Sequence, residues 1–481
     1  MQIVKNRTLF FALAAATLTL GAIPLGGCGY LNDRSARTDY AQYQAAMAAG
    51  DLRQARRALL RLTRVKQDVA EYWIALGQVQ IQLDSYRQAY SAFNRAHELD
   101  RTNVPVLASM AQLALLSGDL DLANEQARSL ALLSPDNPAV ILVRGYTDLR
   151  SGNLDKAEAA ADTLLADSPD DSFAKVLKAR VLVARDKTDE AIALMEAQHR
   201  AVPNDLGAIR ALSAIYRSRE DWRNLARIEI DAHRRSPQDR AVAAQAIEAS
   251  LRAGDVVSAR QISTPYLSPK TNLKVLEATL EMWALYAPPG AVLPDAPKLA
   301  NAAAGDARVS FANYFNDVAK PAIAEALLGS GRLPVTPENA RFNAVLAQAL
   351  SLQGKADEAK QLFDRVLDRE PDQSEALRGR SMLETRAGMT KQAVIDAQRL
   401  VIINPKSGKD RLLLAQVYRA SGNRKEVLRT LWEAFQDLPE DEIVVSALQK
   451  ALASAGDADG KQRLTEEYAD RRKATLTKEL S

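Results

Sequence analysis

Four side chains in this sequence belong to the types that most often carry chemistry at neutral pH. They are Cys28, the only cysteine, and His97, His199 and His233. A thiolate can act as nucleophile or metal ligand, and an imidazole can move protons or bind a metal. Their placement favours neither use. The histidines lie far apart in the chain and none stands in an H-E-x-x-H pattern. One cysteine cannot assemble a Cys–His zinc site of the usual kind. There is no G-x-x-x-x-G-K-[ST] phosphate loop and no G-x-S-x-G elbow. With 60 acidic residues, counting alone does not rule out a carboxylate pair of the glycosidase type. However, no spacing marks such a pair, and aromatic platforms for sugars are few at 5% of residues. The expectation is a protein that is not an enzyme and holds no metal or cofactor, with each histidine an ordinary helix residue.

Cys28 takes its meaning from what precedes it. Lys5 and Arg7 form a positive head, and Leu9 to Leu25 carry no charge. A basic head, an apolar run and small residues at its end mark a cleavable export signal. The run falls short of the about 20 residues a stable membrane span needs, and Gly21 and Pro24 weaken it further. An unpaired cysteine in an exported chain is a flag for special chemistry. From these residues alone, an ordinary signal peptide or an uncleaved N-terminal helix remain alternatives. Leu25-Gly26-Gly27-Cys28 resembles the lipobox of bacterial lipoproteins. That resemblance implies a signal peptide over residues 1–27 and a mature N-terminus at Cys28 bearing diacylglyceryl and N-acyl lipid. Two or three chains anchor stably where one does not. Residues 28–35 would then be the tether. Gly29 stands where an aspartate commonly retains such proteins in the inner membrane, so the resemblance implies the outer membrane, with the body in the periplasm.

Removing residues 1–27 takes away Lys5 and Arg7 and no acid, so the 63 basic side chains become 61 against 60 acidic ones. A net charge of +1 argues against nucleic acid as the partner. Alanine and leucine dominate, which favours helix. A single cysteine allows no internal disulfide, so packing alone must hold the fold.

Proline and glycine give the organisation. Pro135, Pro169, Pro203 and Pro237 are 34 residues apart, as are Pro371, Pro405 and Pro439. Gly50, Gly118, Gly152 and Gly254 are separated by multiples of 34, and Gly354, Gly388, Gly422 and Gly456 by 34 each. Two residue types sharing one period indicate a repeat of one helix, a tight turn and a second helix. Glycine supplies the left-handed turn residue. Asp51, Asp119, Asn153 and Asp255 follow it directly and can start the second helix. Proline stops that helix or opens the next. By this ruler units start at Ala36, Ala70, Val104, Pro138, Ser172, Leu206 and Arg240, and again at Ala340, Ser374, Gly408 and Glu442. The last is degenerate, and Tyr468 to Ser481 reads as a capping helix.

The pattern resembles the tetratricopeptide repeat. The unit from Ala70 to Asn103 matches best, with Trp73, Leu76 and Gly77 in the first helix and Ala89, Phe93 and Ala96 in the second. Arg101 stands where proline is usual. The unit from Ala340 offers Leu346, Ala347, Leu350, Ala359, Phe363 and Pro371, and that from Gly408 offers Leu414, Ala415, Tyr418, Ala434 and Pro439. The resemblance implies an all-α fold, a right-handed superhelical solenoid. An N-terminal array would span 36–273 and a C-terminal array 340–481. Between them, over 274–339, the ruler fails. Ala287-Pro288-Pro289-Gly290, Pro294 and Pro297 break the helical pattern, and Phe311, Tyr314 and Phe315 cluster after it. Two distorted units with a loop around 287–305 are expected, either as drift or as a hinge or binding insertion.

In arrays of this family the first helices line the concave groove. The corresponding positions here hold Arg37, Arg150, Arg180, Arg210, Arg217, Arg252, Arg341, Arg378, Arg386, Lys409 and Arg419, against the acids Glu71, Glu248 and Glu375. Such a stripe suits an acidic peptide segment or an anionic polysaccharide. Alternatively the arginines pair with acids on adjacent second helices or keep the groove wet. Lipobox and repeats together resemble the multi-repeat lipoproteins of exopolysaccharide synthesis and export systems. That resemblance implies a scaffold for envelope proteins, held to the membrane by its lipid. Shorter repeat lipoproteins that assemble type IV pili or secretion systems are the second resemblance.

Overall fold

The computed structural model describes residues 34–268, 270–288, 290–329 and 333–480. The signal segment and Cys28 lie outside these residues. The described residues form α-helices without strands, and ten of the eleven expected unit starts coincide with the first residue of a helix. The exception is the first unit, where the helix begins at Arg34 rather than Ala36.

Contacts divide the chain into two compact units, the first reaching Ile215 and the second spanning Tyr216–Leu476. The first is a row of helix pairs: α1 (Arg34–Ala48) with α2 (Leu52–Val65), α3 (Ala70–Gln82) with α4 (Tyr86–Leu99), and α5 (Val104–Leu116) with α6 (Leu120–Leu133). There follow α7 (Pro138–Arg150) with α8 (Leu154–Asp167), α9 (Ser172–Ala184) with α10 (Thr188–Ala201), and α11 (Leu206–Ser218), which crosses the boundary. The second unit continues with α12 (Trp222–Arg235), the pair α13 (Arg240–Arg252) and α14 (Val256–Ser263), then α15 (Leu273–Tyr286) and the short α16 (Ala296–Ala302). Next come α17 (Gly305–Asp317) with α18 (Pro321–Leu328), α19 (Ala340–Leu352) with α20 (Ala356–Arg369), and α21 (Ser374–Arg386) with α22 (Thr390–Ile403). The last pairs are α23 (Gly408–Ala420) with α24 (Arg424–Asp437), and α25 (Glu442–Ala455) with α26 (Ala458–Leu480).

One turn closes these pairs. Its left-handed residue has φ of +71° at Gly50 and +83° at Gly354, and the next amide bonds back to the carbonyl five residues earlier, as Lys355 does to Leu350 at 3.0 Å. This is the Schellman arrangement, which satisfies helix-end carbonyls. Where the glycine ruler has gaps, the turn is still there. Asp84, Asp186 and Glu220 hold φ of 56°, 61° and 56°, completing an unbroken 34-residue series from Gly50 to Gly254. Ala319 does the same at 57°, with Lys320 N–H bonded to the Phe315 carbonyl at 2.7 Å. Asp51, Asp119 and Asp255 cap the second helices by accepting from the amides of Gln54, Leu122 and Ser258 at 2.9, 2.9 and 3.0 Å. Asn153 does not; its side chain donates to Asp148 instead, at 3.2 Å.

Small residues let helices approach and rings fill the hollows opposite. Ala89, Phe93, Ala359 and Phe363 are all buried. A Cβ on Gly379 of α21 would lie 2.3 Å from the Phe363 ring of α20, so that slot admits no side chain.

The segment 274–339 keeps first helices in register but shortens their partners. α15 and α17 pack on each other, and α17 packs on α19. The helices that follow them, α16 and α18, have 7 and 8 residues, as α14 before them has 8, where the second helices of most other units have 14. The loop expected around 287–305 thus contains a helix. Phe311, Tyr314 and Phe315 are core residues, and the Tyr314 hydroxyl accepts from the Leu293 amide at 2.9 Å. Trp283, fully buried, donates to the Ser263 hydroxyl at 2.9 Å. The expected terminal cap is the end of one 23-residue helix, α26.

A left-handed alanine is strained where glycine is not, by about 1 kcal/mol. Ala319→Gly is expected to stabilise the protein by about that amount, and Gly354→Ala to destabilise it similarly. Thermal melts of both variants check this; equal shifts in the same direction would contradict the turn argument.

Candidate protein-interaction surface

Within each unit, successive first helices pack directly on one another: α5 on α7 and α7 on α9 in the first, α19 on α21 and α21 on α23 in the second. Close approach on that side puts the first helices inside the curve, so their outward residues line the inner face.

In the first unit the expected groove residues differ in fate. Arg150 pairs with Asp121 of α6 at 2.9 Å. Arg180 lies over the Tyr146 ring at 4.9 Å from its centroid. Arg210 donates to the Leu116 carbonyl at 2.7 Å, reaching 94 residues back along the chain. Arg37 is exposed.

In the second unit the stripe is a ladder of alternating charge. Arg217 stands 4.0 Å from Glu229 and 3.6 Å from Glu248. Glu248 also meets Arg252 at 3.0 Å, and Arg252 pairs in turn with Glu442 of α25. The Arg252 guanidinium lies between two rings, 4.3 Å from Trp222 and 4.2 Å from Tyr286. Arg341 bridges Glu277 at 2.6 Å and Glu375 at 2.9 Å. Burial alone would raise the Glu375 carboxyl, but Arg341 beside it holds it below the ordinary range. Arg378 pairs with Asp410 at 2.7 Å, and Lys409 with Asp317 at 3.3 Å. Arg386 and Arg419 are exposed and make no ion pair among the described residues.

The partners therefore come mostly from neighbouring first helices rather than second ones. Several contacts also cross the inner face. Arg252–Glu442 joins α13 to α25, and Arg472 of α26 donates to Glu220 and to the Ser218 carbonyl. The second unit's inner face is thus bridged by its own side chains.

Two features escaped the sequence reading. One is a buried charge cluster on α20, α21 and α22. Arg380 donates to Asp364 at 2.9 Å and to Asp396 at 2.7 and 2.9 Å. Glu384, 2% exposed, lies 3.9 Å from Lys360, and its Oε2 has no hydrogen-bond partner. Burial, then the charge of Asp396, pushes its carboxyl above the usual range. The signal was an i, i+4 Arg–Glu pair on a first helix, which the groove positions skipped. The other feature is outer-face arginine: Arg223, Arg227 and Arg234 of α12 line a groove of about 600 Å³ with Asp231 and Asp255. His97, His199 and His233 lie on α4, α10 and α12. Among the described residues no group of three or more His, Cys, Asp or Glu side chains could hold a metal.

Three family models match: the N-terminal TPR repeats region of Psidin over residues 144–267, and two tetratricopeptide-repeat models over residues 320–383 and 40–103. No curated protein matches. Among solved structures, a tetratricopeptide repeat protein from Parabacteroides merdae is 17% identical, with TM-score 0.34, 52% of this chain and 98% of that chain covered. MamA is 15% identical, with TM-score 0.28, 35% of this chain and 91% of that chain covered. The APC/C hetero-tetramer Cut9-Hcn1 is 11% identical, with TM-score 0.31, 92% of this chain and 96% of that chain covered.

Asp410 is fully buried, with Arg378 as its ion-pair partner and the Asn404 amide donating to its other oxygen at 3.0 Å. Removing one partner of such a pair costs about 3 kcal/mol. Arg378→Ala is expected to lower the melting temperature clearly, and adding Asp410→Asn to restore much of it. Glu384 should show the opposite sign. Its raised folded-state pKa makes the protonated form the better one, so ionisation weakens folding above the ordinary glutamate range. Glu384→Gln should stabilise near neutral pH, with the gain shrinking as pH falls toward that range; a gain that is constant with pH would refute the assignment.

Proposed function

We propose, from the premise that this chain is a tetratricopeptide-repeat protein, that it is a lipid-anchored scaffold of the bacterial envelope. The repeats make it a protein-interaction scaffold. Its proposed place is the periplasmic side of the outer membrane, held by acyl chains on Cys28, and its proposed partners are components of an exopolysaccharide synthesis and export machine. The support for the location is the basic head, apolar run and lipobox-like Leu25-Gly26-Gly27-Cys28.

The observation that carries the binding reading is the inner-face ladder. Arg217, Arg252, Arg341 and Arg378 are held in place by carboxylates from neighbouring helices. A guanidinium already ordered between acids loses little freedom when it takes another carboxylate. An acidic segment of a partner, or an anionic polysaccharide, can compete for these positions. Arg386 and Arg419, exposed on the same helical row, give it a first foothold.

In-cell crosslinking of the tagged full chain, followed by identification of what it captures, tests this. Recovery of a polysaccharide synthase or exporter is the expected result. Recovery of pilus or secretion components would replace that pathway with assembly of a pilus or secretion apparatus. Arg386→Glu with Arg419→Glu should reduce capture several-fold while leaving the melting temperature unchanged, since neither arginine holds a buried acid. Undiminished capture would move the contact away from the inner face.

A further inference from the structure

We infer that the outer face of α2 is a docking surface for the anionic headgroups of a phospholipid membrane. The inference rests on the proposed anchoring at Cys28 for its biological setting, and on the described residues for its chemistry.

The sequence of α2, LRQARRALLRLTRV, holds five arginines and no acid in 14 residues. Its buried side is Ala55, Ala58, Leu59, Leu62 and Thr63. Arg53, Arg57, Leu60, Arg61 and Arg64 follow one another at helical spacing on the other side, and all are exposed. Leu60 and Val65 are 44% and 48% exposed between the arginines. A helix that presents cations interleaved with aliphatic side chains suits the boundary between headgroups and acyl chains.

Arg53, Arg57 and Arg64 make no ion pair among the described residues. Only Arg61 is committed, to Asp39 at 2.6 Å and to the Gln42 amide oxygen. Of the nearby acids, Asp51 caps the helix through the Gln54 amide and Asp68 stands exposed in the following turn. On the adjacent α4, Arg87 adds an exposed cation, while Arg95 and Glu98 pair with each other at 2.6 Å. The same face of later repeats in the first unit differs: α6 presents Asp121 and Glu125, and α8 presents Asp155, Glu158 and Asp162. In the second unit α12 also carries Arg223, Arg227 and Arg234 on its outer face, with Arg234 paired to Asp231, but within the first unit the uncompensated cations are concentrated at one end of the row.

That end is the one the tether leaves from. α1 and α2 form a hairpin, and the Arg61–Asp39 pair shows that the last turns of α2 lie beside the first turns of α1. α1 begins at Arg34, six residues after Cys28, so the connecting chain reaches about 20 Å at most. A lipid surface within that reach lies close to the last turns of α2, where Arg61, Arg64 and Val65 are exposed. The same cations would also attract an acidic protein segment, but the interleaved aliphatic residues and the short tether favour lipid.

The test uses the mature chain from residue 28, with Cys28→Ser so that no acyl chain contributes. It retains every described helix. Sedimentation with phosphatidylcholine vesicles, with and without phosphatidylglycerol, reads binding directly. Expected is binding that requires phosphatidylglycerol, fades in high salt, falls at least about tenfold in the triple variant Arg53→Glu, Arg57→Glu, Arg64→Glu, and survives in the triple lysine variant. A melt of the glutamate variant that matches the parent excludes misfolding. No binding to phosphatidylglycerol, or equal binding by the glutamate variant, overturns the proposal. Preferential binding to polyglutamate with no vesicle binding assigns the stripe to a protein partner and also overturns it. Metabolic labelling of the full chain with palmitate tests the anchor separately: vesicle binding without labelling removes the anchor and leaves the α2 surface standing, and labelling without vesicle binding does the reverse.

Discussion

A single helix pair of this kind cannot bury its own apolar stripe, and that constraint organises the molecule. Each pair must lend its buried face to a neighbour, so stability resides in the interfaces between pairs. The turn between the two helices has to be tight and repeated, because any change in its geometry would rotate the next face out of contact. The left-handed residue and its backward hydrogen bond meet that demand at Gly50, Gly254 and Gly354. They meet it also at Asp84, Asp186, Glu220 and Ala319, where the residue itself is unfavourable. Packing between pairs outweighs about 1 kcal/mol of local strain at each of those turns.

The same constraint shapes the charge on the inner face. Successive first helices approach closely there, so an arginine at that position is partly removed from water and needs a carboxylate within reach. Arg341 is 29% exposed and lies between Glu277 and Glu375; Arg378, 20% exposed, lies against Asp410, which is fully buried. Across the inner face, Arg252 finds Glu442 and a sandwich of Trp222 and Tyr286. These groups order one another. They also mean that a positive count along the groove is a poor measure of its field, since much of that charge is answered internally.

The sequence made the period legible because glycine and proline are punished by physics when misplaced, so their spacing carries the unit boundaries directly. It left the turns at Asp84 and Asp186 unmarked, because aspartate tolerates the left-handed backbone but is as common at caps and on exposed faces, so the type alone singles out no turn. Of the acids of the inner ladder, Glu248 and Glu375 stood at expected groove positions, whereas Glu277, Asp317 and Glu442 were missed for a different reason. Glu277 and Asp317 lie in the segment where proline spacing fails, and Glu442 opens the degenerate last unit. The first stretch had no place in the ruler and the last unit was set aside as degenerate, yet their first helices face the same arginines. The truncated partners α16 and α18 explain both facts: the short second helices erase the period while leaving the inner row intact. Asn153 shows the limit of capping rules, since a nearby Asp148 took its side chain from the helix end.

What a partner meets is thus decided by compensation more than by composition. With a net charge near neutrality, cations unanswered inside the fold must be matched by acids unanswered elsewhere. On the outer face α2 has Arg53, Arg57 and Arg64 without partners, whereas the acids of α8 include Asp155 and Asp162, largely exposed even where Arg185 and Lys178 reach them. The first unit is therefore polarised along its own row, basic where the chain enters and acidic several repeats later. At a negatively charged surface such a gradient draws the basic end in and holds the acidic repeats off.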